Sequence, residues 1–269
     1  MGRFGGAFMN LSLEGKNAVV CGSTQGIGFA VAEELALLGA NCTLMARNEE
    51  GLKEAIHNLD IALRQQHNYL VADFTNPDEV KKAIEGHIAK HPVHILINNT
   101  GGPQPGAIVN AGVEEFENAF RQHLVNNHIL AQAVLPAMKE AGYGRIINII
   151  STSVRIPLQN LGVSNTTRAA VASWAKTFSN EVGQFGITVN NILPGLTDTK
   201  RLGDLISTIA KGRGVEEDVI KKEMISSIPA KRLAAAEEIA NMVAFLASPA
   251  ASYVNGASIP VDGGRTGTI

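Results

Sequence analysis

KNAVVCGSTQGIGFAVAEELALLG, residues 16–39, carries three structural instructions in succession. AVVC at 18–21 is a short run of small and β-branched apolar residues, the composition of a strand buried on both faces. Gly22, Gly26 and Gly28 punctuate the next seven positions, with Ser23, Thr24, Gln25 and Ile27 between them. Ile27, Val31, Leu35 and Leu38 then recur at helical spacing, and Gly39 suits a C-terminal cap. Strand, glycine-rich turn and helix together make a phosphate-binding unit. The glycines let the backbone approach a dinucleotide pyrophosphate, and free N–H groups at the helix start face it.

The same alternation repeats along the rest of the chain. Residues 41–46 read as a second strand, ending in Ala46-Arg47-Asn48. An acidic residue there would accept hydrogen bonds from an adenosine ribose and repel a 2′-phosphate. Arg47 can instead pair with a 2′-phosphate, which favours NADP. The alternative is an ordinary solvated arginine beside an NAD ribose. Residues 49–65 read as a helix and 68–72 as a strand ending in Asp73-Phe74. Asn76 and Pro77 open the next helix as cap and first residue. His87, His91 and His94 cluster near its end, but no further ligands of fixed spacing accompany them, and no metal is expected. Residues 93–97 form a fourth strand, followed by Asn98-Asn99-Thr100-Gly101-Gly102. A long helical pattern covers 113–140. GRIINIISTSVRIPLQNLGVSNTTR, residues 144–168, holds a buried strand ending in Ser151, a loop, and the start of an Ala-rich helix. A sixth strand spans 187–193, and Pro194-Gly195-Leu196-Thr197-Asp198-Thr199 follows it. Residues 202–229 are charged and broken by glycine. A helix at 237–246 and a strand near 259–261 close the chain. Strand–helix alternation without repeats predicts one Rossmann-like, doubly wound parallel α/β sheet of about seven strands, with helices on both faces.

Bulk properties agree with one large domain. The chain has 269 residues, 45% of them hydrophobic and 18% charged, enough for a well-buried core. A formal charge of −2 gives no electrostatic reason to expect nucleic acid. Cys21 and Cys42 both lie in apolar strand-like runs, as expected of reduced core thiols in a cytoplasmic protein. No run approaches the roughly 20 apolar residues of a membrane span. The opening MGRFGGAFMN lacks a secretory apolar core, and Gly6 stands where a myristoylation signal wants Ser or Thr. Residues 1–12 are therefore read as a loose extension.

These motifs, in this order, resemble the short-chain dehydrogenase/reductase family, most closely its 3-oxoacyl-(acyl-carrier-protein) reductase branch. The resemblance runs over residues 13–264, with a lid at 196–230 and a tail at 265–269. It implies cofactor contacts from Gly22, Ser23, Thr24, Gln25, Gly26, Ile27 and Gly28, and from Arg47 and Asn48. Asp73 and Phe74 would lie against the adenine. Asn99, Thr100 and Gly101 would line the cofactor ribose, with Thr100 replacing the family's Ala. Pro194, Gly195, Thr197 and Thr199 would hold the nicotinamide carboxamide. Residues 202–229 would close over substrate, unless they are only a surface excursion. The Ala-rich helix and the 113–140 helix would pair between subunits in a homotetramer or homodimer.

The catalytic pattern departs from the family. Its strand-end Ser is matched by Ser151, but its Tyr-x-x-x-Lys motif, thirteen residues on, is represented by Ser164 and Arg168. An alcohol is far less acidic than a phenol of pKa about 10, so Ser164 orients a carbonyl but is a poor proton donor. Arg168 can bind ribose hydroxyls and stabilise a developing alkoxide, yet its pKa above about 12 makes proton transfer difficult. His123 aligns with a family Asn that distorts its helix and holds a relay water. An imidazole pKa of about 6.5 would suit proton exchange there, whereas a packed histidine is the plainer reading. The sequence thus implies an NADP(H)-dependent oxidoreductase acting on a small carbonyl or acyl-thioester substrate, with an unusual proton source. The other class it admits is an NADP(H)-binding regulator or scaffold without turnover.

Overall fold

The computed structural model describes residues 9–268. Residues 1–8 of the expected extension, Gly6 among them, lie outside these. Asn10 and Ser12 are not loose: the Asn10 carbonyl accepts from Ala250 N, and Ser12 N donates to Asn10 Oδ1.

The chain runs β1 (Asn17–Cys21), α1 (Gly26–Leu37), β2 (Asn41–Ala46), α2 (Glu49–His57), β3 (Asn68–Val71), α3 (Pro77–Ile88) and β4 (Ile95–Asn98). It continues with α4 (Val113–Phe120), a π-helical turn at Arg121–Val125, α5 (Asn126–Ala141), β5 (Gly144–Ile149), α6 (Gly162–Val182) and β6 (Ile187–Pro194). The last elements are α7 (Lys200–Arg213), α8 (Glu217–Ser226), α9 (Ala236–Ala247) and β7 (Ser258–Val261). All seven strands are parallel, in the order β3-β2-β1-β4-β5-β6-β7.

Side-chain alternation along β1 assigns the two faces. Ala18 and Val20 join a core with α1, α2 and α9, while Val19 and Cys21 join one with α3, α5 and α6. Burial on both faces explains why β1 is apolar at every position from Ala18 to Cys21 rather than at alternate ones. The strand order reverses between β1 and β4. In doubly wound sheets, ligands bind in the crevice beyond the strand ends at this switch.

A polar ladder crosses the other half of the sheet. Asn98 donates to Asn148 at 2.8 Å, Asn148 to Asn191 at 2.9 Å, and Asn191 to the Ser258 hydroxyl at 3.0 Å. These residues are paired in register from β4 to β7. The ladder ties β4, β5, β6 and β7 together in one register across this half of the sheet.

Two expectations need correction. The helix read over 49–65 stops at His57. Asp60 Oδ1 takes the N–H of Ala62, Arg64 turns left-handed, and buried Gln65 donates to Ala36 O at 2.7 Å. These bonds steer the chain back to the start of β3. Residues 202–229 are not an irregular, glycine-broken loop but mostly α7 and α8, packed through Leu202, Ile206, Ala210 and Ile220. The one real break is Gly214, left-handed at φ +64, which ends α7.

Candidate functional site

The glycine turn is built as a cradle. Gly22 and Gly26 have positive φ, near +59 and +58. A Cβ on Gly28 would lie 2.1 Å from the Gly22 carbonyl oxygen, so only glycine fits there. Asn99, just past β4, donates through Nδ2 to the carbonyls of Cys21 and Gly22. That clamp ties the turn to the switch point. Gln25 occupies the N-cap of α1 without a side-chain cap, so the first N–H groups remain for a ligand. Ser23 Oγ is buried and has no partner among the described residues. An unmet hydroxyl, an uncapped helix start and a glycine cradle fit a dinucleotide phosphate.

The adenosine side is formed by β2, β3 and the start of α2. Arg47 is exposed and helps hold the Asp73 carboxyl below its usual range, after the larger effect of the Thr75 backbone N–H. Asn48 caps α2 by accepting from Gly51 N, which commits one of its side-chain atoms. The Phe74 carbonyl is held by Asn126 Nδ2 at 2.7 Å. On the other side, Thr199 caps α7, and its methyl would lie 3.4 Å from a Cβ on Gly26. Thr197 is buried and donates to the Gly195 carbonyl at 3.3 Å. Pro194 ends β6, and Gly195 N donates to Val261 O.

Ser151 lies two residues beyond β5, where its hydroxyl accepts from Ser153 N at 3.1 Å. Ser164 sits in the first turn of α6 and is half-buried. Arg168, one turn further, is buried and donates to the Ile149 carbonyl at 2.9 Å. Burial first, and Arg201 second, lower the Arg168 guanidinium to about 10, so it remains cationic at neutral pH. Tyr69 donates to Glu49, Tyr143 to the Ala247 carbonyl, and Tyr253 is fully exposed. None of the three lies beside Ser151 or Arg168 in a hydrogen bond.

His123 occupies the centre of the π-helical turn, the expected point of distortion. Such turns often mark functional positions in helices. Its Nδ1 pairs with the Thr100 hydroxyl at 2.5 Å, while its Nε2 is buried without a partner among the described residues. Burial, followed by the charges of Arg168 and Arg201, pushes the imidazole down to about 2. This favours the plainer of the two sequence readings, a packed histidine that stays neutral and acts through hydrogen bonds.

Arg201 joins this centre from the start of α7. A Cβ on Gly102 would lie 2.6 Å from Arg201 Nη2 and 3.2 Å from Arg168 Nη2, so both guanidinium groups converge on one backbone point. Nothing in the local sequence of α7 distinguishes Arg201 from a solvated helix arginine. The other sequence-marked cluster lies elsewhere: His87 Nε2 meets Thr43, His91 stacks on His87, and His94 accepts from Asn17 N.

Comparison with known proteins agrees with this geometry. The family described as enoyl-(acyl-carrier-protein) reductase matches residues 22–266. The 3-oxoacyl-(acyl-carrier-protein) reductase of Pseudomonas aeruginosa is 35% identical over 259 residues, covering 94% of this chain and 98% of the relative. The NADPH-dependent reductase BacG of Bacillus subtilis is 29% identical, covering 94% and 99%. The structure of L-sorbose reductase from Gluconobacter frateurii, complexed with NADPH and L-sorbose, superposes with a TM-score of 0.91 at 32% identity. That match covers 97% of this chain and 100% of the other. With its glycine cradle, switch-point clamp and single parallel sheet, the chain belongs to the short-chain dehydrogenase/reductase family.

Proposed function

We infer that this protein is an NADP(H)-dependent oxidoreductase that interconverts a carbonyl and a hydroxyl group on a small molecule. The observation that carries the reading is the dinucleotide cradle at the β1/β4 switch, with Arg168 fixed beside the end of β5. When bound, the cofactor supplies hydride from its nicotinamide. Gly22 to Gly28 would hold its phosphates, with Arg47 facing the 2′-phosphate and Thr199 facing the carboxamide. Ser151 and Ser164 orient the carbonyl oxygen. Arg168 keeps a fixed positive charge beside the alkoxide that develops there. The proton comes from water, because neither serine is acidic enough and the arginine holds its own proton. Neutral His123, coupled to Thr100, positions that water.

Residues 196–230 act as the lid, as expected of a helical pair at the mouth of such a site. The protein works in the cytoplasm as a homodimer or homotetramer. Cys21 and Cys42, both buried with thiols pushed up to about 12, suit a reducing compartment. Among the described residues no helix is long and apolar enough to cross a membrane.

The test is NADPH consumption with acetoacetyl thioesters and a panel of ketones, run on wild type, Ser151→Ala, and the double variant Ser164→Tyr, Arg168→Lys. Wild-type turnover that falls about 100- to 1,000-fold in Ser151→Ala supports the assignment, on the scale of lost oxyanion stabilisation. Unchanged turnover in Ser151→Ala removes Ser151 from the mechanism. Micromolar NADPH binding with turnover only in the double variant would favour a binding protein instead.

A further inference from the structure

Two cations meet at this centre with no anion to match. Arg168 and Arg201 flank Gly102, and neither forms an ion pair with any carboxylate among the described residues. The Nη1 of Arg168 is committed to Ile149 O, which leaves Nη2 on the Gly102 side. Arg201 is exposed overall, yet its guanidinium end reaches in from the start of α7 to the same point. Each charge lowers the proton affinity of its neighbours: Arg201 acts on Arg168, and both act on His123. A second positive charge drawn up to the buried Arg168 guanidinium is unfavourable unless a ligand completes the pair. The buried Nε2 of His123 is a second unmet polar atom of the same cluster.

We propose that Arg168 and Arg201 form a carboxylate-binding pair, so that the substrate is a carbonyl compound carrying its own carboxylate. The proposal rests on the reductase reading and specifies its substrate class. Guanidinium groups recognise the planar, two-oxygen carboxylate through paired charge-assisted bonds. The cofactor diphosphate is the other anion within the crevice. The glycine turn and the uncapped start of α1 already provide for it at the end of β1, whereas the arginine pair lies beyond β4, beside Thr100 and His123.

The experiment uses one carbonyl in two charge states, 2-oxo-4-phenylbutanoate and its ethyl ester, with the full-length protein and NADPH. The acid is expected to be preferred by about tenfold or more in kcat/KM, mainly through KM, which is the scale of one charge-assisted bond. Arg201→Gln should bring the acid-to-ester ratio close to one, and Arg201→Lys should restore part of it. The dissociation constant of NADPH, followed by its fluorescence, should stay at the wild-type value in both variants. An ester preferred by wild type overturns the proposal. So does an Arg201→Gln variant that weakens NADPH binding and leaves the acid-to-ester ratio intact, because Arg201 would then serve the cofactor. If neither compound is reduced, calorimetry of the NADP-loaded protein separates the two readings. Binding of the acid but not the ester, lost in Arg201→Gln, keeps the anion site while the reductase reading fails. Equal binding of both compounds, or none, rejects the site.

Discussion

A neutral imidazole buried beside two guanidinium groups makes the fold sensitive to acid. His123 is 2% exposed, and its folded pKa of about 2 lies far below the value of about 6.5 in an unfolded chain. The sign follows from proton uptake. Below pH 6.5 the unfolded chain binds a proton that the folded chain refuses, so this stabilising contribution is intact above pH 6.5 and lost as pH falls. One such group costs roughly 2 kcal/mol between pH 7.5 and pH 5. His123→Asn should lower stability at pH 7.5, through loss of the Thr100 bond, and should flatten the acid limb by roughly that same 2 kcal/mol. Urea unfolding of both proteins at pH 7.5 and pH 5 measures the difference. His87 and His94, whose pKa values burial also lowers, contribute equally in both backgrounds. Parallel pH dependences for wild type and variant would mean that His123 is solvated rather than buried. For catalysis, the same neutrality limits His123 to arranging hydrogen bonds.

At the scale of elements, the asparagine ladder joins the fold to the site. Asn148 both accepts from Asn98 and donates to Asn191, and all three are buried. Asn148→Ala would leave a donor and an acceptor unpaired in the interior, each costing about 1–3 kcal/mol. A loss of about 3 kcal/mol, or a fall in Tm of roughly 6–12 °C, is expected by calorimetry for a chain of this size. A change below about 1 kcal/mol would show that solvent or strand movement rescues the partners. Asn148→Leu should not restore stability, because filling the volume leaves both amides unmet. Which elements the sequence discloses depends on how local their causes are. The glycine turn, the Asn76–Pro77 start of α3 and the two-faced strands declare themselves through spacing alone. The end of α2 does not. Ile61 and Leu63 extend an apolar pattern past His57, yet both are exposed, because the turn there is decided by Gln65 reaching Ala36. The expectation that Ser164 and Arg168 stand where the family has Tyr and Lys likewise rests on spacing from Ser151. Arg201 is not legible that way, since its place comes from the start of α7 reaching Gly102 in the loop after β4, a contact between residues about a hundred positions apart that no local pattern records.

At the scale of the molecule, the open question is what covers the outer side of α6 and α5. Trp174 is only half-buried there, stacked on Phe178 at 5.4 Å between ring centres and edge-on to His128 at 6.3 Å. The family resemblance places this face against a second copy of the chain, and an amphipathic aromatic at a partly open position suits such a contact. Trp174 is the only tryptophan in the sequence, so its emission reports on this surface without interference. Light scattering on the eluting protein should give two or four times the chain mass, with Trp174 emission independent of concentration across the micromolar range. Ser173 and Thr177 flank Trp174 on the exposed side of α6. In a two-fold interface each residue lies near its own copy or a neighbour of it, so added charge is repeated across the contact. Ser173→Arg with Thr177→Arg should therefore shift the mass toward one chain and move Trp174 emission to the red. The fold itself should survive, because neither side chain is in the core. A wild-type monomer by scattering would reject the assembly outright. An oligomer that persists in the double variant with unchanged emission would place the interface on another face, and α6 would then have to be explained as a solvent-facing helix.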